Sequence, residues 1–481
     1  MSNRPETNKQ SCPVYKKGGG CQLQNLSYPE QLEFKQKKVE KLLKRFCTVE
    51  KIIGMKTPYH YRNKVQAAFY TDKKGKIISG VYQSGSHHVV GIDSCQTEDV
   101  IADKIIVAVR KLLPSFRMTT YNEDTGKGFL RHILVKRGFA TNQIMLVLVT
   151  GTPVFPSKNN FVKAILKQFP EITTIVQNIN PYRTNLVLGD NQKVLYGKGY
   201  IEDILCGCRF RISPKSFYQI NPVQTEVLYG KAIEFANLKG NETVLDTYCG
   251  IGTIGIIAAK NGAGNVIGAE LNGDAVRDAI VNARANNLKN IRFYKADAGE
   301  FMREAADEDE KPDVVFMDPP RAGSDRKFLD SLIKMSPKKV VYVSCNPETL
   351  ARDLAYLTQN SPYKAQKIQP VDMFPHTAHI ETVVKLVRKT PDAYVDLKVD
   401  MDELDLTASE AKATYEEIKQ YILDKYDTKV SNLYIAQVKE KYGIIERENY
   451  NKPKSANTKQ SQCPAEKAVM IEEAFKHFKM I

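Results

Sequence analysis

Apolar residues recur with two different spacings in two regions of the chain. Over residues 57–212, short alternating or apolar runs recur between turns rich in Gly, Asn and Asp, and such runs predict β-strands. The predicted strands are Val65–Tyr70, Ile77–Tyr82, Phe129–Val135, Gln143–Val149, Thr174–Asn178 and Thr184–Leu188, with a helix at Asn160–Phe169. We therefore expect a central α+β domain over residues 51–212.

From about Asn241 to Leu386, short apolar runs alternate with stretches of helical period. The predicted strands are Thr243–Asp246, Asn265–Glu270, Ile291–Lys295, Asp313–Met317, Lys339–Ser344 and Ile380–Val387. The predicted helices between them are Gly252–Lys260, Gly273–Asn286, Arg326–Lys334 and Glu348–Asn360. This alternation predicts a Rossmann-like α/β domain with a parallel, doubly wound sheet. We assign it residues 213–390.

Both ends of the chain add helical segments. Residues 1–50 combine a Cys-containing loop with a Lys-rich helix from Pro29 to Phe46, whose lysines, Lys35 among them, are expected on a solvated face. Over residues 391–481, an acidic linker precedes helices at Tyr415–Tyr426 and Ser431–Tyr442. We interpret the latter as a helical C-terminal extension that serves packing, although its spacing is also that of a helix-turn-helix.

Charge is distributed unevenly along the chain. The 481 residues include 70 Lys and Arg against 55 Asp and Glu, a formal net charge of +15. Residues 1–220 carry 34 basic and 16 acidic residues, so that the whole surplus lies in this part. Such a distribution is typical of a module that faces a polyanion such as RNA. A merely soluble basic surface is the alternative.

Composition also indicates the cellular compartment in which we expect the protein. No apolar run approaches the ~20 residues that span a bilayer, and the first ten residues are polar, without the apolar core of a signal peptide. Nine Cys, an odd number, do not resemble a secreted disulfide framework. We expect a cytoplasmic, monomeric protein with no membrane partner, whose thiols serve metal binding, catalysis or the core.

A glycine-rich turn follows the first predicted strand of the α/β domain. Gly250, Gly252 and Gly255 satisfy the G-x-G-x-x-G spacing of dinucleotide-binding loops. By itself this match is weak, because glycines also serve any tight turn between a strand and a helix.

Three acids distinguish this loop from a nicotinamide site. Asp246, Glu270 and Asp297 follow or end three successive predicted strands. Glu270 is placed to bind both hydroxyls of a ribose, and Asp297 to meet an adenine amino group. A rim of carboxylates without a basic residue in the loop favours a cationic nucleoside, S-adenosylmethionine, over a pyrophosphate.

Two further residues suggest covalent chemistry at the same sheet edge. Cys345 follows the fifth strand, where a buried, inert thiol is the alternative. Glu381 stands alone in an apolar strand, so it needs a partner or a raised pKa. Addition of a thiolate to C6 of uracil makes C5 nucleophilic toward a sulfonium methyl, and a base must then remove the C5 proton. Cys345 and Glu381 supply these two groups.

Other residues near these motifs have weaker assignments. Phe217 is suited to stacking on a base taken out of its helix, and Gln219 to bonding a base or the cofactor. An ordinary junction between strand and helix is the alternative for this segment. For His376 and His379, structural hydrogen bonding is favoured over a metal pair.

Together these segments resemble the RNA uracil-C5-methyltransferase family, which contains the bacterial 23S rRNA and tRNA 5-methyluridine enzymes. The similarity spans about Cys12 to Val387, and its most specific pieces are Ser213–Asn221, Asp246–Gly252, Asp318–Arg321, Ser344–Pro347 and His379–Val383. The resemblance implies an S-adenosylmethionine-dependent enzyme with Cys345 as nucleophile and Glu381 as general base. We expect the cofactor at Gln219, Tyr248, Gly250, Glu270, Asp297 and Asp318.

We expect structured RNA as the substrate, with 23S rRNA ahead of the T-loop uridine of tRNA, and contacts from Phe217, Arg131 and Arg137. Two alternatives are an RNA-binding protein with a vestigial catalytic centre and a nicotinamide oxidoreductase.

The N-terminal Cys residues resemble the iron–sulfur motif of the rRNA-directed branch of this family. That motif has a Cys, five residues, Cys-Gly-Gly-Cys and a later fourth Cys. Cys12, Cys21 and Cys95 match three of these positions, while Gly18 stands where the second Cys is expected. A 4Fe-4S cluster with a non-Cys ligand, a three-iron cluster and no cluster are the alternatives. We expect the family's N-terminal β-barrel to be absent, since Cys12 lies almost at the start.

Overall fold

The computed structural model describes residues 12, 14, 19–83, 86, 88–308, 310–389, 413–442, 463–478 and 480–481. The chain divides into two units, residues 1–390 and residues 391–481. The acidic linker expected at Asp400–Asp405 lies outside the described residues. Among the described residues, no helix is both long and apolar enough to cross a membrane.

A seven-stranded sheet, here called the central sheet, occupies the first half of the first unit. Its strands are β1 (Lys64–Thr71), β2 (Ile77–Tyr82), β3 (Val89–Gly91), β4 (Leu130–Arg137), β5 (Ile144–Thr150), β6 (Ile172–Ile179) and β7 (Asn191–Tyr196), in the order β3-β2-β1-β4-β5-β6-β7. Helices α2 (Val100–Leu112) and α3 (Lys158–Gln168) pack on one face. The α+β character expected of this region is confirmed.

One strand prediction in this region is wrong. Residues Thr184–Leu188 form a loop, and the seventh strand is Asn191–Tyr196 instead. The Asn180 side chain donates hydrogen bonds to the backbone carbonyls of Leu186 and Val187, at 2.8 and 3.2 Å. The Asn180 side chain thus gives these carbonyls a hydrogen-bond partner in place of a neighbouring strand.

A hairpin and a capped helix lead from the central sheet into the second half of the first unit. Strands β8 (Ile201–Leu205) and β9 (Cys208–Ile212) form the hairpin, and α4 (Pro222–Ala236) follows it. Asn221 caps α4, because its side-chain oxygen accepts a hydrogen bond from the Gln224 N–H at 3.2 Å. The segment between β9 and α4 contains Phe217 and Gln219.

A second seven-stranded sheet forms the Rossmann-like part. Its strands are β10 (Thr243–Thr247), β11 (Asn265–Glu270), β12 (Ile291–Lys295), β13 (Val314–Met317), β14 (Lys339–Ser344), β15 (Tyr363–Val371) and β16 (Glu381–Arg388). The helices between them are α5 (Thr253–Lys260), α6 (Gly273–Ala285), α7 (Ala298–Asp307), α8 (Arg326–Met335) and α9 (Pro347–Asn360). The order β12-β11-β10-β13-β14-β16-β15 confirms the α/β fold class.

The sheet is not wholly parallel, which corrects the expectation. Strands β10 to β14 are parallel, but β16 pairs antiparallel with β14 and with β15. An apolar run predicts a buried strand but carries no information about its direction. β15 has the charged sequence Lys-Ala-Gln-Lys and was not predicted.

The N-terminal helix α1 (Tyr28–Leu43) is built into this second part. Val39 and Leu43 are fully buried in the same core as Val315 and Leu354. Lys35, expected on a solvated face, is also fully buried, so that expectation is wrong for this residue. The helix thus packs one face inward and exposes its remaining lysines.

The second unit contains three described helices, α10 (Tyr415–Tyr426), α11 (Asn432–Lys441) and α12 (Ala465–His477). Ile418, Ile422, Ile435, Ile471 and Phe475 form its core. Two of the helices agree with the predicted segments, and the third was not predicted. A helical C-terminal extension is therefore present.

Candidate active site

A cavity of about 490 Å³ opens at the carboxyl-terminal edge of the parallel strands. Ligands bind at this edge in open α/β sheets, because the loops that leave the strands diverge there. The predicted residues that line it are Phe217, Gln219, Tyr248, Gly250, Glu270, Asp318, Cys345 and Glu381. The structure thus brings together residues from distant parts of the chain.

The glycine-rich turn forms one wall of the cavity. Tyr248, directly after β10, has a φ of 76°. Residues other than glycine rarely adopt this backbone conformation. Gly252 has a φ of 82°, and a Cβ atom there would lie 2.7 Å from the Phe293 ring. Asp246 stabilises the turn, because its Oδ2 accepts a hydrogen bond from the Gly255 N–H at 2.8 Å.

Of two carboxylates that end or follow strands, Glu270 and Asp297, only Glu270 lines the cavity. Glu270 lines the cavity and accepts the N–H groups of Gly250 and Asn272, at 3.0 and 2.7 Å, one on each oxygen. Each oxygen keeps a second lone pair for a ligand hydroxyl. Asp297 does not line the cavity, but caps α7 through the Gly299 N–H at 2.9 Å. Burial, together with the charges of Asp325 and Asp297, raises the pKa of the Tyr248 phenol to about 12.

A buried tyrosine that sequence analysis missed supports the cofactor wall. Tyr229 lies on α4, lines the cavity and is 3% exposed. Its hydroxyl group lies near the side chains of Thr253 and Gln219. Because Tyr229 stands within an apolar helix, its sequence context gives no signal for a site residue.

Strand direction places the thiol next to the carboxylate. Ser344 at the end of β14 pairs with Thr382 in the antiparallel β14–β16 ladder. Cys345 follows Ser344, and Glu381 precedes Thr382, so the two residues stand opposite each other at the end of the ladder. Directly opposite residues have Cβ atoms about 4.5–5.5 Å apart. A parallel β16 would have placed Glu381 at the far edge of the sheet.

Burial and negative charge raise the pKa values of the acids in the cavity. The pKa of Asp246 is raised to about 7 by burial and by the neighbouring Asp318. The pKa of Asp318 is also raised to about 7, through burial. Burial holds the pKa of Glu381 well above its usual range, Asp318 raises it further, and Arg321 lowers it.

The Cys345 thiol responds to the same charges. Burial, followed by Glu381 and Asp318, raises its pKa to about 11, and the Arg321 guanidinium acts in the opposite direction. Without a further positive charge, the group is therefore a thiol at neutral pH. Activation of the sulfur requires a change in its electrostatic surroundings.

Hydrogen bonds connect the Cys345 turn to the turn that contains Arg321. The Asn346 side chain donates to the Arg321 carbonyl at 3.1 Å, and the Thr349 hydroxyl donates to the same oxygen at 3.3 Å. Asn346 also caps α9 through the Glu348 N–H. The thiol and the guanidinium are thus held on one framework.

The N-terminal helix fixes the loop that leads to Glu381. Lys35 Nζ lies 2.6 Å from the Asp372 carboxylate and donates to the Phe374 carbonyl at 3.0 Å. The Gln31 side chain accepts the His376 N–H at 2.8 Å, and His376 Nε2 lies 2.9 Å from the Pro58 carbonyl. The hydrogen-bonding interpretation of His376 therefore agrees with its contacts, while His379 lines the cavity.

The N-terminal thiols do not fit a four-cysteine iron–sulfur cluster. Burial and the nearby Cys95 and Cys12 raise the pKa of Cys21 to about 11. In the described part of the chain, no three His, Cys, Asp or Glu side chains are arranged to hold a metal ion. Gly18 lies outside the described residues. Cys12, Cys21 and Cys95 thus supply one thiol fewer than a four-cysteine cluster requires.

The three residues expected to contact RNA differ in exposure. Phe217 is 65% exposed at the mouth of the cavity. Arg131 is 1% exposed, and its guanidinium binds the Glu123 carboxylate at 2.7 Å. Arg137 binds Asp99 at 2.6 Å and is partly exposed. An RNA contact by either arginine would therefore compete with an internal ion pair.

The sheet order, the strained turn after β10 and the carboxylate-lined cavity are typical of an α/β enzyme that binds a nucleoside at the carboxyl ends of its strands. A family model described as tRNA (uracil-5-)-methyltransferase matches residues 183–389. An uncharacterized RNA methyltransferase of Bacillus cereus is 44% identical over 382 residues, which cover 78% of this chain and 82% of the relative. A Listeria monocytogenes RNA methyltransferase is 46% identical over 379 residues, with 78% and 83% covered.

A solved structure is similar over most of the chain. The Pyrococcus abyssi tRNA (uracil-54, C5)-methyltransferase in complex with S-adenosyl-L-homocysteine superposes with a TM-score of 0.65 at 32% identity, covering 79% of this chain and 88% of that protein. The chain belongs to the tRNA (uracil-5-)-methyltransferase family. It is an S-adenosylmethionine-dependent RNA methyltransferase, which confirms the predicted enzyme class and disfavours the nicotinamide alternative.

Proposed function

We propose that the protein methylates C5 of a uridine in structured RNA through a covalent bond between Cys345 and C6 of the base. The observation that carries this proposal is the register of β14 and β16, which sets Cys345 opposite Glu381 in the same cavity as the cofactor turn. A thiol for addition and a carboxylate for proton removal are the two groups that methylation at C5 requires.

The residues of the cavity fit the charge of the methyl donor. S-adenosylmethionine supplies an electrophilic methyl group on a positively charged sulfur. Burial of Asp246 and Asp318 in one cavity is costly while both are ionised, and a bound cation offsets that cost. The residues that would hold the cofactor are Gln219, Tyr248, Gly250, Glu270 and Asp318, with Asp297 at the rim beside Tyr248.

Cys345 begins the reaction. Its thiol gives its proton to solvent water, and the thiolate adds to C6 of uracil, so that the C5=C6 electron pair moves to C5. Because Glu381 and Asp318 oppose ionisation of the thiol, a cation among the carboxylates acts on the pKa of Cys345 in the same direction as Arg321. The nucleophile therefore becomes active when the cofactor is in place.

Glu381 completes the reaction. Once the methyl group is on C5, with S-adenosylhomocysteine as the other product, the Glu381 carboxylate removes the C5 proton. The C–H electron pair restores the C5=C6 double bond, and the C6–S pair leaves with the Cys345 sulfur. Burial and Asp318 raise the pKa of Glu381 and make its ionised form a stronger base.

Structured RNA, with 23S rRNA as the first candidate, is the substrate that we propose. The exposed Phe217 ring at the mouth of the cavity is suited to stacking on a base that has left its helix. The basic surplus of residues 1–220 favours a large polyanion. tRNA is the second candidate, because the Pyrococcus abyssi relative is a tRNA methyltransferase.

Mapping of 5-methyluridine tests this proposal. rRNA and tRNA are isolated from a strain that lacks the protein, from its parent and from the strain complemented with the wild-type or Cys345→Ala protein. We expect one 5-methyluridine in 23S rRNA to disappear and to return with the wild-type protein alone. If 5-methyluridine is lost from tRNA instead, tRNA is the substrate. An unchanged 5-methyluridine pattern in both rRNA and tRNA contradicts the proposal.

A further inference from the structure

A second cavity, of about 600 Å³, opens in the central sheet domain. It shares no lining residue with the active-site cavity. Polar side chains dominate its walls, among them Gln66, Glu123, Arg131, His132, Thr184 and Asn185. The reaction proposed for the active site uses none of these residues.

The charged residues of this second cavity neutralise each other. The Arg131 guanidinium donates two hydrogen bonds to Glu123, at 2.7 and 3.0 Å, and further ones to the carbonyls of Asn180 and Tyr182, both at 2.8 Å. A phosphate would have to break this ion pair to gain a cation. The remaining amide and hydroxyl groups favour a neutral heterocycle with donors and acceptors along its edge.

His132 adds spare hydrogen-bonding capacity to the wall. It is 4% exposed, and its Nδ1 atom has no hydrogen-bond partner within the described part of the chain. Burial and the adjacent Arg131 lower its pKa to about 4, so that the imidazole is neutral at physiological pH. Buried polar groups without partners are rare in native proteins and are costly.

The loop that supplies Thr184, Asn185 and Val187 to the wall of the second cavity also presents apolar side chains to solvent. Tyr182 is 68% exposed and Leu186 is 71% exposed. The loop that bears them is fixed, because Arg131 binds the Tyr182 carbonyl and Asn180 binds the Leu186 carbonyl. Exposed apolar groups on an ordered loop are typical of a contact surface, and base stacking on an aromatic ring is the dominant contact with single-stranded nucleic acid.

The strand β4 connects the second cavity to the active site. His132 and Lys136 are four residues apart on one face of β4, which corresponds to about 13 Å along the strand. Lys136 Nζ donates to the carbonyls of Ser213 and Ser216, both at 2.8 Å, immediately before Phe217. The second cavity is thus a few nucleotides away from the position of the target base.

We propose that the second cavity binds one unpaired base of the RNA, a few nucleotides from the target uridine. The base stacks on Tyr182, and Gln66 and Asn185 hydrogen-bond to its edge. This inference rests on the proposed function, since it requires an RNA substrate. It assigns a base-specific role to a domain in which charge alone would predict only phosphate contacts.

Binding of the full-length protein to purified RNA tests this inference. The probes are the rRNA fraction and the tRNA fraction from a strain that lacks the protein, each titrated at several salt concentrations. We expect Tyr182→Ala to weaken binding about tenfold, the effect of one lost base stack, and Gln66→Ala to weaken it several-fold. The slope of affinity against salt stays that of the wild type, because no phosphate contact is lost.

Controls separate a lost contact from a damaged fold. Both varied side chains are exposed, so thermal unfolding should stay at the wild-type temperature. Tyr294→Ala removes a 45% exposed tyrosine from β12 and should leave RNA affinity unchanged.

Two results would overturn the inference. One is wild-type affinity of Tyr182→Ala and Gln66→Ala for both RNA fractions. The other is weaker binding with a salt slope reduced by about one, which indicates a phosphate contact instead. Failure of the proposed function can be told apart from failure of this inference. If the proposed function is wrong, the wild-type protein itself forms no 5-methyluridine, whatever the RNA affinity of the variants.

Discussion

Lys35 and Asp372 form an ion pair of 2.6 Å in which both side chains are fully buried. The pair joins the N-terminal helix to the loop that precedes Glu381, and Tyr28 donates a further hydrogen bond to Asp372 at 2.9 Å. Burial lowers the pKa of Lys35 in spite of the nearby carboxylate. The helix thus supports the position of the proposed base.

Loss of one partner of this pair should destabilise the protein strongly. Lys35→Met leaves the Asp372 carboxylate buried without its cation, which costs about 3–5 kcal/mol. Denaturant unfolding measures the loss. Lys37→Met is the matched control, because Lys37 pairs with Glu33 at the surface, where such pairs contribute about 0–1 kcal/mol. Equal effects of the two substitutions would show that the buried pair has no special role.

Cofactor affinity should depend on pH more strongly for the charged ligand. The pKa values of Asp246 and Asp318 are raised to about 7, so both carboxyls lose protons as pH rises from 6 to 8. S-adenosylmethionine, with its sulfonium charge, should then bind more tightly by up to about tenfold per pH unit below the pKa. S-adenosylhomocysteine lacks that charge and should respond less.

Calorimetry with both ligands measures this difference. Asp318→Asn removes one of the two titrating groups and should reduce the pH dependence for S-adenosylmethionine. Parallel pH profiles for the two ligands in the wild-type protein would exclude the electrostatic role of these carboxylates.

The same carboxyls make the folded protein less stable as pH rises. In the unfolded chain, Asp ionises near its ordinary value of 3.8, whereas folded Asp318 keeps its proton up to about pH 7. Protonated Asp318 therefore makes its full contribution to the free energy of unfolding below about pH 4. This contribution is lost as the pH rises through 7. Asp318→Asn, which stays neutral, should show a smaller loss of unfolding free energy between pH 4.5 and 7, by up to about 1.4 kcal/mol per pH unit. Identical pH profiles of the two proteins would contradict the raised pKa.

Tyr229 should contribute to cofactor binding through its hydroxyl group. Tyr229→Phe removes a hydroxyl group that lies in the cavity wall near Gln219 and Thr253, without changing the packing of the ring. A polar contact of about 1 kcal/mol between this hydroxyl group and the ligand corresponds to about fivefold weaker binding of S-adenosylhomocysteine when it is lost. Tyr363→Phe, a buried tyrosine on β15 outside the cavity, is the control and should bind with wild-type affinity. Unchanged affinity of Tyr229→Phe would remove Tyr229 from the site.

The sequence pattern predicts the α/β sheet and the chemistry at its edge because both depend on local signals. Apolar runs locate the parallel strands, and the acids, the glycine turn and the thiol come directly after them. The direction of β16 is a tertiary property, and the antiparallel pairing is what brings Glu381 to Cys345. Glu381 was predicted from its place as a lone acid in an apolar strand and from the motif similarity, whereas the parallel sheet that we expected would have separated it from Cys345.

The sequence around residues whose role depends on packing does not predict that role. Lys35 stands among exposed lysines, and its burial depends on Asp372, more than 300 positions away. Tyr229 lies in an apolar helix, and Thr184–Leu188 has the apolar run of a strand but is held as a loop by Asn180. In each case a contact that is distant in sequence or made by a side chain determines the outcome.

The central claim is that Cys345 forms a covalent bond to the RNA and that Glu381 resolves it. Glu381→Gln with RNA from the strain that lacks the protein and with S-adenosylmethionine should accumulate a protein–RNA adduct, because the C5 proton cannot be removed. Cys345→Ala should form neither adduct nor 5-methyluridine, while Cys47→Ala, a partly exposed thiol outside the cavity, should behave as the wild type. The most direct measurement is the mass of the RNA-linked peptide from Glu381→Gln after nuclease digestion. We expect a methylated uridine attached to Cys345, whereas 5-methyluridine formation by Cys345→Ala would exclude Cys345 as the nucleophile.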